Sequence, residues 1–216
     1  MDTKAFEIAI KKLRESPKRK FSQSVDLIIN LKQIDLKNPE HKVDLPIILP
    51  AGLGKKVTIC GLVDKELSDQ SKTIFDHTIQ KEQFTKLDPK ETKKLADQYD
   101  FFVAQSTLMV DIAKVFGKTF GPKSKMPNPK MGCVVPPSAS LAQVKERLSK
   151  TIRIQNKKEL IVKTFIGKES MSDEQLVQNA TAVMESLLRA LPHEKQNIAS
   201  IYLKFTMSSP VLVGGK

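Results

Sequence analysis

Two groups of residues in this sequence have types and spacings that could do chemistry. The first is the loop GKTFGPKSKMPNPKMG (117–132), which holds Lys118, Lys123, Lys125 and Lys130 and no acid. Gly121, Pro122, Pro127 and Pro129 stiffen it. Ammonium groups on a stiff loop suit phosphate oxygens, because little entropy is lost on docking, so the loop reads as an RNA contact or, alternatively, as a domain-interface loop. The second group is split between the chain ends. Lys18-Arg19-Lys20-Phe21 precedes the strand-like SVDLIINL, and TMSSP (206–210) follows the alternating SIYLKF. If those two strands are neighbours, Phe21, Ser24, Asp26, Ser200, Lys204, Thr206 and Met207 share one rim. Lysines would neutralise phosphates, hydroxyls would bond 2′-OH groups, and Phe21 and Met207 would lie against sugar or base faces. Such a set favours RNA over DNA, since 2′-OH groups line the shallow groove. From the residues alone the plainer reading has Phe21 in the core and TMSSP as a turn.

Other chemistries lack their residues. AGLGKK (51–56) resembles the end of a phosphate-binding loop, but Lys56 stands where Ser or Thr is required and no glycine lies at the right distance upstream. Gly52 and Gly54 read instead as a flexible joint. The run VTICGLV (57–63) is followed by DKELSDQ, without the glycine-rich turn of a dinucleotide site. His41, His77 and His193 are isolated in polar stretches and read as solvated. No catalytic set, metal cluster or cofactor site is expected. A nucleotide-dependent enzyme on the central segment is the alternative, disfavoured by that missing turn.

The balance of charge points the same way as the lysines. Lys plus Arg is 36 against 24 for Asp plus Glu, a net charge of +12. That suits a nucleic acid or another anionic surface. Aromatic residues make up 6% and there is no Trp, so stacking on many bases is not the expected mode. No apolar run approaches the roughly 20 residues of a membrane span. The N-terminus reads without a signal peptide. Cys60 and Cys133 lie far apart and suggest a reducing cytoplasm.

The elements that must position these residues follow from periodicity. Helical spacing predicts a helix over 4–15, then strands over 24–31 and 45–50, with a polar connection, DLKNPEHKV, between. After the joint come strands over 57–63 and 100–105, helices over 89–98 and 106–117, with Ser106 and Gly117 as caps, the loop 117–132, a strand at 133–135 and a helix over 140–150. Residues 64–88 read as a polar, lysine-rich region. Strands over 151–155 and 159–167 follow. A helix over 171–191 has Ser172 and Gln175 as a capping box, and a final strand spans 201–205. Sheet-forming segments at both ends bracket a parallel-type insert. The expectation is therefore an α/β fold of two domains. Residues 1–55 and 152–216 form a discontinuous domain, and 56–151 is inserted.

Four motifs also stand in order: RKFSQSVDLIINLKQIDLKNP, FGPKSKMPNPKMG, IGKESMSDEQLVQNA and SIYLKFTMSSP. Together they resemble the archaeal form of ribosomal protein L-one of the large subunit, over essentially the whole chain. The resemblance implies an outer split β-α-β domain and an inserted three-layer, Rossmann-like domain without an enzymatic role. It implies a cytoplasmic, ribosomal protein, monomeric when free, that grips the rRNA stalk near the exit site and moves as tRNA leaves. It also implies binding to its own mRNA and repression of its translation. The RNA-contacting residues carried over are Lys20, Phe21, Ser24, Asp26, Gly167, Lys168, Ser200, Thr206, Met207 and Ser208. Lys204 joins them from the strand reading alone. Ser208 and Ser124 stand where that family usually has glycine.

Overall fold

The computed structural model describes residues 3–36, 38, 41–156 and 159–215. In chain order the elements are α1 (Thr3–Arg14), β1 (Ser24–Leu31), β2 (Asp44–Ile48), β3 (Ile59–Val63), α2 (Lys65–Ile74), β4 (His77–Gln80), α3 (Pro89–Gln98) and β5 (Phe101–Gln105). They continue with α4 (Met109–Phe120), β6 (Val134–Val135), α5 (Leu141–Ser149), β7 (Thr151–Gln155), β8 (Ile161–Lys168), α6 (Asp173–Ala190), β9 (Ile198–Phe205) and β10 (Val211–Gly215). The protein is a mixed α/β structure that divides into two compact units, Met1–Lys55 with Lys150–Lys216, and Lys56–Ser149.

The first unit is built on a four-stranded sheet in the order β10-β9-β1-β8, antiparallel throughout. Its strands alternate as their sequences do. Val25, Leu27, Ile29 and Leu31 of β1 are buried, and so are Ile201, Leu203 and Phe205 of β9, while the residues between them stay half-buried. Phe6, Ile10 and Leu13 of α1 and Leu176, Ala180, Val183 and Leu187 of α6 supply the matching apolar stripes. The Ser172–Gln175 capping box starts α6. Strands β2 and β7 form a separate antiparallel pair, from Asp44 opposite Gln155 to Ile48 opposite Thr151. Lys150 and Thr151, read from the sequence as the last inserted residues, therefore belong to this unit, and Leu49 N donates to Lys150 O at 2.8 Å.

The joint is tied down by one side chain. Asn179 of α6 is wholly buried. Its Nδ2 donates to Gly52 O and Ile166 O, both at 2.8 Å, and its Oδ1 accepts from Ala51 N at 3.0 Å. Gly52 and Gly54 sit at φ +73° and +65°, the left-handed backbone expected of a glycine joint.

The second unit carries a parallel sheet in the order β4-β3-β5-β6. Strand β3 is buried at every position. In the core of this unit Phe120 stacks on Phe116, ring centroids 5.0 Å apart, and meets Phe102 at a tilt, 4.2 Å apart. Where a glycine-rich turn would follow β3, Asp64 caps α2, and Gln105 accepts from Asp64 N at 2.9 Å and donates to Glu66 at 3.1 Å.

Several elements depart from expectation. The polar region 64–88 contains α2 and β4. Their signal was hidden because α2 buries Ser68 and Ser71 beside Leu67. Those hydroxyls pair with Gln80 and Thr78, at 2.5 Å and 2.7 Å. Ser106 does not cap a helix: Ser106–Leu108 is a 3-10 turn, and α4 runs on through Gly117 to Phe120. Strand β10 was missed because VLVGG is short and glycine-ended. His77 is exposed, as expected, and stacks on Tyr99 at 5.7 Å, whereas His41 is half-buried and its Nδ1 accepts from Asp35 N at 3.2 Å. The middle of the connection DLKNPEHKV, at 37, 39 and 40, lies outside the described residues.

Candidate nucleic-acid interface

Because β1 runs antiparallel to both neighbours, its first residue meets the last residues of both. Ser24 lies opposite Lys168 of β8, and Val25 opposite Phe205 of β9. Ser24 N donates to Thr206 Oγ1 at 3.1 Å, Thr206 N donates to Ser24 O at 3.2 Å, and Lys168 Nζ donates to Ser24 Oγ at 3.3 Å. One sheet corner thus gathers Ser24, Asp26, Lys168, Lys204 and Thr206 from three strands. A register shift between Val25 and Asp26 on the β8 side turns the strand at this corner.

The turn after β9 closes on itself. Phe205 N donates to Ser208 Oγ at 2.9 Å, and that hydroxyl donates to Ser209 O at 3.0 Å. Ser208 is absent from the positive-φ residues among those described, so its side chain closes the turn without backbone strain. Its hydroxyl is committed inward and is a poor candidate for a ligand contact. Met207 points out, 60% exposed. Thr206 Oγ1 is an acceptor toward Ser24 N, which leaves its hydroxyl proton to donate outward.

Beside this corner, Phe21 is 52% exposed, which overturns the core reading of that residue. It lines an open depression with Arg14, Lys18, Arg19, Lys20 and Glu169. Arg14 anchors that wall: its guanidinium donates to Glu169 O at 3.0 Å and Met171 O at 2.6 Å and pairs with Asp173 at 2.5 Å.

Asp26 faces Lys204 across the ladder. Burial pushes its carboxyl above the ordinary range, and Lys204 and Lys168 pull it only partly back. Asp26 thus places an acceptor beside two lysines inside a cationic surface.

Not every expected residue converges. Gly167 is buried, and a Cβ there would meet Leu176 Cδ2 at 2.7 Å and Met171 Sδ at 2.8 Å. It serves close packing of α6 against the sheet, not the surface. Ser200 shares the face of Lys204 but lies four residues along β9, about 14 Å away, where it accepts from Asn30 Nδ2 at 2.7 Å. On the 117–132 loop, Lys123 bonds Lys93 O at 3.3 Å and Asp97 at 2.5 Å, and Lys125 bonds Tyr99 O and Asp100 O at 3.0 Å and 2.9 Å. Those two ammonium groups brace the loop. Lys118 and Lys130 remain exposed. The residues that sequence reasoning missed are Arg14, Gln23 and Glu169. Gln23 had a signal: it stands in phase with Val25 and Leu27, at an inward position occupied by an amide.

The geometry defines a two-unit α/β protein whose convergent chemistry is a cationic, hydroxyl-bearing corner of a sheet. Comparison gives the family. The model of the ribosomal protein L1p/L10e family matches residues 13–209. The chain is 39% identical over 208 residues to the large ribosomal subunit protein uL1 of Nanoarchaeum equitans, covering 94% of this chain and 97% of the relative. It is 38% identical over 216 residues to that of Methanococcus voltae, covering 98% and 99%. It is 40% identical over 209 residues to that of Methanocella arvoryzae, covering 95% and 96%. The chain belongs to the ribosomal protein L1p/L10e family.

Proposed function

We propose that the protein is an RNA-binding component of the large ribosomal subunit, and that the sheet corner around Ser24, Lys168, Lys204 and Thr206-Met207 is its rRNA-binding surface. The observation that carries this reading is the convergence of three strand ends at one point, with Phe21 and Met207 exposed beside them. Lys20, Lys168 and Lys204 neutralise phosphates. The Thr206 hydroxyl donates to a 2′-OH or phosphate oxygen, and Asp26 accepts from a 2′-OH or base amino group. Phe21 and the Met207 thioether fill the irregular sugar and base surfaces of a folded RNA. The inserted unit acts as a structural body without catalysis. The bound RNA is the stalk near the exit site, so that protein and stalk move together as tRNA leaves. The same corner takes a stalk-like fold in the protein's own mRNA, which represses translation when free protein accumulates.

Large subunits stripped of this protein provide the test. Added back, it is expected to protect stalk nucleotides from chemical probing, and an excess of mRNA leader is expected to compete. Protection elsewhere, or none, contradicts the reading.

A further inference from the structure

We infer that Gln23 is the positioning residue of this surface: a buried amide that holds the Thr206-Met207-Ser208 turn in its binding shape. The inference rests on the RNA-binding reading above. Gln23 is 2% exposed, although it directly follows the exposed Phe21 and Ser22. Its Oε1 accepts from Met207 N at 3.1 Å. Its own backbone is gripped from the other side: Gln23 N donates to Glu169 Oε2 at 3.2 Å, and Gln23 O accepts from Glu169 N at 2.9 Å. Arg14 in turn holds the Glu169 and Met171 carbonyls. One residue therefore links the segment before β1, the loop after β8 and the turn after β9, the first two through its backbone and the last through its side chain.

The link matters because of what it leaves outside. The Met207 main chain is held from beneath while its side chain stands in solvent. A turn already ordered in the free protein loses less entropy when RNA docks. Without the amide oxygen, Met207 N has water as its alternative partner, so the fold survives but the turn loosens. Gln23 touches no RNA in this scheme; it acts through Met207.

The test uses the full chain, a stalk-type rRNA fragment and Gln23→Met, which keeps the side-chain length and removes the acceptor. Affinity is expected to fall by roughly tenfold through lost preorganisation, with an unchanged salt slope because no phosphate contact is removed. The loss should be strongly non-additive with Met207→Ala, since both changes act through one side chain. In free wild-type protein, the Met207 amide should exchange with solvent more slowly than the neighbouring Ser209 amide, and the difference should vanish in Gln23→Met. Equal binding by variant and wild type, a fully additive double variant, or a fast Met207 amide in the wild type each overturns the inference. The amide measurement on wild type stands even if the variant does not fold. Wild-type protein that ignores the stalk fragment while its Met207 amide is protected overturns the RNA reading instead.

Discussion

At the residue scale, two carboxylates carry opposite pH signatures. Burial raises Asp26 against the pull of Lys204 and Lys168. Its carboxyl binds a proton more tightly in the fold than in the unfolded chain, so it favours the fold in acid and loses that contribution as pH rises through its raised value. Asp26→Asn should therefore melt higher than wild type at neutral pH, with the gap closing in acid. Asp76 runs the other way. The Ile59 N–H holds it below the ordinary range, against burial and with help from Lys56 at 3.1 Å. It stabilises the fold above the unfolded carboxylate range, and that contribution is lost as pH falls through its lowered value. Asp76→Asn should melt lower at neutral pH, and the deficit should fade in acid. Melting curves from acid to neutral pH check both signs. Ser124 makes a different kind of prediction. It holds φ +57°, a left-handed conformation that costs an L-residue about 1–2 kcal/mol. Ser124 already bears that cost, so Ser124→Gly should stabilise by up to about 1–2 kcal/mol, whereas Ser124→Val should destabilise, because a β-branched residue fits that region worst.

At the element scale, packing rather than chemistry accounts for residues that the sequence offered as contacts. Gly167 lies under Leu176 and Met171, and adding one methyl there overpacks a closed site. Gly167→Ala should cost about 1–3 kcal/mol in denaturant unfolding, with RNA affinity falling only as far as the fold is disturbed. Asn179, which the sequence did not offer as a contact, matters to packing more still. Asn179→Ala strands two carbonyls and one N–H beside the joint, and should cost about 2–4 kcal/mol. The alternation of β1 and β9 and the capping box of α6 were legible because each obeys a local rule. The helix α2 was not, because it buries serines whose partners, Thr78 and Gln80, arrive from another strand. The candidate corner was half legible for the same reason. Lys204 and Thr206 announce themselves along one strand, but that Lys168 bonds Ser24 depends on β8 and β9 flanking β1, which no local pattern states.

At the scale of the whole molecule, a net charge of +12 is spread over the sequence, and charge alone binds any RNA. On the reading proposed above, preference for one RNA comes from the uncharged groups at the corner, Met207 and Thr206 above all. The most direct measurement is affinity for a stalk-type rRNA fragment and for an unrelated RNA duplex across a salt series, with wild type beside Met207→Asp. The wild type is expected to keep its preference for the stalk fragment at high salt. Met207→Asp should bind both RNAs alike, through lysines, with a steep salt dependence. A wild type without preference, or a Met207→Asp protein that retains it in full, contradicts the assignment of this corner as the specific RNA site.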